Sequence, residues 1–167
     1  LWLNQQQMRA FRSTIGALVH SLTLKDADSA KHSKRVQRVS LAIGHALDLS
    51  LTEHETLSVA ALLHDLGKQG VRDEVLLKPG KLTARERKEM DRHAAHTQTI
   101  LDMIEYPAHL WDVPRIAAYH HEKMDGTGAA RLAVLLGGLR RFPGDVTLAV
   151  EAGEALIEAG RDPDARR

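Results

Sequence analysis

The chain has ten histidines, and their number and positions make them the residues from which a chemical function is most readily argued. His32, His64, His93 and His120 each lie at helical spacing from apolar residues, so each imidazole is expected to point inward. His121 adjoins His120 at the rim of the same interior. Any one of these residues alone is equally well interpreted as a hydrogen-bonded core histidine. Five together would cost roughly 1 to 3 kcal/mol for each unpaired polar group, and a bound metal offsets that cost.

The expected metal ligands are imidazole and carboxylate groups, because the chain has no cysteine. Asp65 adjoins His64 and supplies the anionic oxygen that a divalent cation needs, and Asp28 is a second candidate. Such ligands suit iron, manganese, nickel or zinc, and the sequence does not choose among them. His96, three residues after His93, is an alternative ligand. Surface positions or satisfied hydrogen bonds are expected for His20, His45, His54 and His109.

The composition excludes several other classes of protein. The chain has 167 residues, of which 43% are hydrophobic and 27% charged, and its formal charge is +1. These values are typical of one folded domain and not of a disordered chain. The small net charge gives no electrostatic case for binding duplex nucleic acid. No apolar run approaches the roughly 20 residues of a membrane helix, so we expect a soluble, cytoplasmic protein.

Apolar residues recur at three- and four-residue steps throughout, which predicts an all-α fold of about six to seven helices. The second helix is expected to begin at Asp28 or Ser29, and the third at a capping box of Thr52 and Glu55. Gly67 is expected to end the third helix. The predicted helices cover about residues 4–24, 28–48, 52–67, 83–104, 114–121, 131–139 and 146–159.

Ordered motifs between about Asp26 and Gly128 resemble one family. They comprise a histidine within residues 26–36, the His-Asp pair at 64–65 followed by Leu-Gly-Lys, the segment 76–83, and a histidine seven residues before Ile-Leu at 100–101. The last motif is His-His-Glu-Lys-Met-Asp-Gly-Thr-Gly at 120–128. Together they resemble the HD superfamily of metal-dependent phosphohydrolases, and within it the HD-GYP cyclic di-GMP phosphodiesterases.

The resemblance implies an HD-type helical bundle with a metal site in its interior. It implies two divalent transition metal ions, with iron or manganese favoured and nickel or zinc left open. Asp65 matches the carboxylate that bridges two metals, and Asp28 matches a position that helps to hold a third in some members. Lys68 matches the catalytic lysine at the scissile phosphate. The implied metal ligands are His32, His64, Asp65, His93, His120, His121 and Asp28, and the implied substrate contacts are Lys68, Asp125 and Gly126.

The implied activity is hydrolysis of cyclic di-GMP to linear pGpG, to GMP or to both, with a metal-bridging hydroxide as nucleophile. Two alternatives remain: a catalytically weakened sensor or interaction module, and an HD phosphohydrolase for another nucleotide or phosphate ester. A departure after Gly128 favours the weakened module. The family's Tyr-Pro and long loop are absent there, and so is a later aspartate ligand, near Leu135. Either the loop is lost, or residues of the natural protein are missing at this point.

The domain organisation is expected to have two parts. Residues 1–24 form a leading helix that links to an upstream sensor or receiver domain, and residues 25–167 form the phosphohydrolase domain. The apolar stripe of the leading helix fits either a core contact or a homodimer interface.

Overall fold

The computed structural model describes residues 2–118 and residue 152. Within these residues all regular structure is helical and no strand occurs, which confirms the predicted all-α class. The α-helices are α1 (Trp2–Lys25), α2 (Ala27–Ala46), α3 (Leu51–Leu63), α4 (Asp73–Leu76), α5 (Ala84–Asp91), α6 (His93–Leu101) and α7 (Val113–Ala118). Short 3₁₀ helices cover Leu66–Gly70 and Ala108–Leu110.

The core lies where α2, α3, α6 and α7 meet, and α1 packs across it. Phe11 and Ile15 of α1 are buried in the same cluster as Leu57 of α3 and Leu101 of α6. Each such side chain contributes about 1.5 to 3 kcal/mol when it leaves water. The ring of Phe11 also meets that of Tyr106 edge-on, at 5.5 Å between centroids. The leading helix is thus packed into the core formed by the helices that follow it.

Two helices begin at residues other than those expected. Asp26 caps α2, because its carboxylate accepts the Asp28 backbone N–H at 3.0 Å and the Ser29 hydroxyl at 2.6 Å. The capping box of α3 is formed by Ser50 and Glu53, which have the same spacing as the predicted pair two residues later. The predicted caps Asp28, Ser29 and the Thr52–Glu55 pair were therefore wrong. In each case an earlier side chain satisfies the exposed N–H groups first.

Gly67 does not end α3, which stops at Leu63, but lies inside the first 3₁₀ helix. A Cβ atom at Gly67 would lie 1.9 Å from the carbonyl oxygen of His93. Glycine is required here because two backbone segments touch, and not because a helix ends in the left-handed region. The prediction identified the residue but gave the wrong reason for it.

The predicted helix over residues 83–104 is two helices, α5 and α6, separated at Arg92. Thr83 and Glu86 form the capping box of α5. The His93 ring nitrogen Nδ1 lies 2.6 Å from the Met90 carbonyl oxygen, so this carbonyl bonds to a side chain at the break. Periodicity missed the break because α5 has only Ala84 and Met90 as apolar residues and therefore shows no repeat of its own that could be told from that of α6.

The predicted helices at 131–139 and 146–159 lie outside the described residues, except that Ala152 is helical and buried in the core cluster. The departure after Gly128 also lies outside them. Among the described residues, none of the helices has the length and apolar character needed to cross a membrane.

Candidate metal centre

Asp65 lies at the centre of a buried polar cluster between α3 and α6. Its side chain is 2% exposed, and it lies between the side chains of His64 (0% exposed) and His93 (3% exposed). The distance from Asp65 Oδ2 to His64 Nε2 is 3.4 Å, and that from Oδ1 to His93 Nε2 is 3.3 Å. Each carboxylate oxygen therefore faces a different imidazole.

Backbone carbonyl groups fix the orientation of both imidazoles. His64 Nδ1 lies 2.9 Å from the carbonyl oxygen of Ala61, and His93 Nδ1 lies 2.6 Å from that of Met90. A carbonyl oxygen only accepts, so Nδ1 carries a proton in each ring, and Nε2, which faces Asp65, is the nitrogen that would bind a metal on losing any proton of its own. Metal-binding histidines in proteins commonly use this arrangement.

His32 brings a third imidazole to the cluster from α2. Its ring centroid lies 5.6 Å from that of His64, with the rings edge to face. One ligand atom each from His32, His64 and Asp65 lies within 4.8 Å of the others. Two imidazoles and a carboxylate at this separation fit a divalent metal ion.

Asp65 is ionised in spite of its burial. Burial alone raises the pKa of its carboxyl group, but the charge and hydrogen bond of His64, the hydrogen bond of His93 and the charge of Lys68 hold that pKa well below its usual value. Lys68 Nζ donates to Asp65 Oδ2 at 2.6 Å, and its side chain is 20% exposed. The site therefore holds a buried anion with a cation at its solvent-facing edge.

Some of the expected site residues are not in this cluster. The Asp28 side chain is 90% exposed and pairs with Lys31 at 3.2 Å. The ring of His96 is half-buried against Gly70, where a Cβ atom would lie 2.5 Å from His96 Nδ1. His120, His121, Asp125 and Gly126 lie outside the described residues.

The remaining histidines lie elsewhere. His20 is exposed on α1, and His109 pairs with Glu55 at 3.1 Å. The rings of His45 and His54 lie 4.6 Å apart between centroids, at the turn joining α2 to α3. None of the four contributes to the group around Asp65.

Thr97 is a buried site residue that the sequence analysis missed. Its hydroxyl accepts the Gly67 backbone N–H at 2.8 Å and donates to the His64 carbonyl oxygen at 2.9 Å. The available signal was its position four residues after His93, on the same face of the helix. A threonine hydroxyl on an apolar stripe needs partners, which could have drawn attention to it.

The sequence of residues 17–133 matches the family described as HD domain. Named relatives include a 3′3′-cGAMP-specific phosphodiesterase of Vibrio cholerae, 41% identical over 64% of this chain and 23% of its own length. A cyclic di-GMP phosphodiesterase response regulator of Xanthomonas campestris is 34% identical over 70% of this chain and 31% of its own length. A cyclic di-GMP phosphodiesterase of Thermotoga maritima is 36% identical over 64% and 29%, respectively. The chain thus spans less than a third of each of these relatives.

Proposed function

The chain belongs to the HD domain family, and on this premise we propose that it is a metal-dependent phosphodiesterase that hydrolyses cyclic di-GMP to pGpG, to GMP or to both. The observation that carries the proposal is the ionised, buried carboxylate of Asp65, with an oriented imidazole facing each of its oxygens. The names of the relatives support a cyclic dinucleotide as substrate.

We propose two metal ions, with iron or manganese favoured over nickel or zinc. The two oxygens of Asp65 face His64 and His93, so this carboxylate can serve two cations as a bridge. Among the described residues, His32, His64 and His93 would hold the ions. The resemblance adds His120 and His121. It also matches Asp28 to a third ion, but that side chain is 90% exposed and pairs with Lys31, so no third ion is proposed. When bound, such ions supply activation of water near neutral pH and neutralisation of phosphate charge.

Lys68 has the position and charge for binding the substrate phosphate. Its ammonium group lies beside Asp65 and keeps partial access to solvent. An ammonium group there adds a positive charge where the phosphate develops negative charge, without acting as a metal ligand. Asp125 and Gly126 are proposed as further substrate contacts, on the resemblance alone.

A second candidate substrate is 3′3′-cGAMP, because several named relatives are specific for it. A catalytically weakened module is the other candidate, and the missing aspartate near Leu135 favours it. A phosphohydrolase that acts on other phosphate esters is the third candidate besides the cyclic di-GMP phosphodiesterase.

The test is a substrate panel on protein loaded with Mn²⁺ or Fe²⁺. Cyclic di-GMP, 3′3′-cGAMP and bis(p-nitrophenyl) phosphate are supplied separately, and the products are identified by chromatography. We expect turnover of cyclic di-GMP with pGpG or GMP as product, and none in the Asp65→Ala variant. Turnover of 3′3′-cGAMP alone would change the substrate, and turnover of the simple ester alone would favour the third candidate. Metal bound without any turnover would overturn the proposed activity.

We further propose a cytoplasmic signalling protein in which α1 connects the catalytic domain to a sensor or receiver domain and contributes to a homodimer. The larger size of the relatives supports additional domains.

A further inference from the structure

Thr97 joins the two backbone segments that carry the central ligands. It lies on α6, is fully buried, and has one hydroxyl with two uses. The oxygen accepts the Gly67 N–H from the 3₁₀ helix after Asp65, and its proton goes to the carbonyl oxygen of His64. A threonine hydroxyl has one donor and two acceptor sites, so this pair of bonds uses the donor and one acceptor.

The two segments are in direct backbone contact at this point. A Cβ atom at Gly67 would lie 1.9 Å from the His93 oxygen and 2.4 Å from the Thr97 nitrogen. With no side chain between the segments, the hydroxyl reaches the buried N–H of Gly67 and accepts its hydrogen bond at 2.8 Å. The relative position of α6 and the His64–Asp65 turn therefore depends on this bridge.

We propose that Thr97 is a positioning residue for metal binding, which holds His93 at the correct distance from His64 and Asp65. The inference rests on the proposed metal-dependent function. A ligand set must stay within about 0.5 Å of its productive geometry to bind well. His93 lies one helical turn before Thr97, so a shift of α6 at the hydroxyl moves its imidazole relative to Asp65.

The test compares Thr97→Val, which removes the hydroxyl at constant size, with Thr97→Ser, which retains it. The matched control is Thr99→Val, on the same helix, where the exposed hydroxyl bonds only the Ala95 carbonyl. Mn²⁺ affinity is measured by calorimetry well below the melting temperature of each variant. We expect the affinity of Thr97→Val to fall roughly 10- to 100-fold, the usual effect of losing a group that orients a ligand. Thr97→Ser and Thr99→Val should bind Mn²⁺ as the wild type does.

Kinetics supply a second readout. Thr97 is fully buried and its hydroxyl bonds two backbone groups, so the Thr97→Val variant should show a lower kcat with KM nearly unchanged, and Thr97→Ser should restore kcat. A variant that melts earlier but binds Mn²⁺ with wild-type affinity would show a merely structural role and overturn the proposal. If Thr97→Val does not fold, Thr97→Ala and Thr97→Ser, which differ by the hydroxyl alone, give the comparison. If the wild type shows no turnover, the proposed phosphodiesterase activity is contradicted. The Mn²⁺ affinities of the variants would still decide the role of Thr97.

Discussion

Asp65 carries a negative charge where water does not reach it. Removing an ionised carboxylate from water costs several kcal/mol, even after the surrounding protein relaxes. His64, His93 and Lys68 compensate this charge at distances between 2.6 and 3.4 Å. A buried charge with this desolvation cost, held where α3 and α6 meet, is typical of a site that binds a cation or substrate.

Asp65→Asn is predicted to abolish metal binding while the helices remain. The amide is nearly isosteric, but it lacks the anionic oxygen that a divalent ion requires. Metal content after reconstitution with Mn²⁺ is measured by elemental analysis, and helicity by circular dichroism. Asp91→Asn, at an exposed aspartate of α5, is the control and should keep its metal. Unchanged metal content in Asp65→Asn would contradict the bridging role.

Lys68→Ala is predicted to retain metal and lose turnover. Lys68 donates to Asp65 without being a proposed ligand, so its loss removes positive charge from the phosphate site and leaves every proposed metal ligand in place. Removal of one such electrostatic contact lowers kcat by roughly 10²-fold. The measurement is kcat for cyclic di-GMP together with metal content, with the exposed Lys81→Ala as control. Wild-type rates in Lys68→Ala would remove its proposed role.

At the scale of elements, periodicity in the sequence predicted the positions of the longer described helices, but it did not predict their exact ends, the break at Arg92 or the short helix α4. Cap residues compete over short distances, which explains why Asp26 and Ser50 were missed as caps. The contact between Gly67 and α6 joins residues about thirty positions apart, so the local sequence pattern does not predict it. The inward imidazoles of His32 and His64 followed from helix faces alone, whereas the pairing of His93 with Asp65 needed the resemblance or the structure.

Gly67→Ala is predicted to destabilise the fold and Gly16→Ala to stabilise it. The new methyl group at position 67 would clash with the backbone of α6, and overpacking of this kind typically costs about 1 to 3 kcal/mol or more. A methyl group at position 16, inside α1, meets no atom within 4 Å and gains roughly 0.5 to 1 kcal/mol of helix stability. Urea unfolding measures both. Equal midpoints for the two variants would contradict the close contact at Gly67.

The start of α5 is predicted to lose stability in acid through Glu86. Hydrogen bonds from Lys78 and from Thr83 lower the pKa of Glu86 from 4.5 to about 2. Because the pKa is lower in the folded state, the contribution is complete above pH 4.5 and is lost as the pH falls toward 2. The wild type should therefore lose more stability than Glu86→Gln over this range. The measurement is the free energy of unfolding of each protein as a function of pH. An equal fall in both proteins over this range would contradict the prediction.

At the scale of the whole molecule, the described helices form one core with the polar cluster inside it. α1 buries Phe11 and Ile15 in that core, so truncation of the leading helix should expose apolar surface in addition to removing the proposed linker. All-α class and a site of histidine and aspartate followed from composition and periodicity. The substrate and the number of metal ions did not follow from them, because many folds and sites share the same ligands. Only the resemblance points to a cyclic dinucleotide.

The most direct test of the account measures metal content and cyclic di-GMP hydrolysis on the same purified sample. Elemental analysis for transition metals is followed by the assay, before and after reconstitution with Fe²⁺ or Mn²⁺. The account predicts about two metal ions per chain together with turnover to pGpG or GMP. One ion or none per chain, with no turnover after reconstitution, would contradict it and identify a binding module instead.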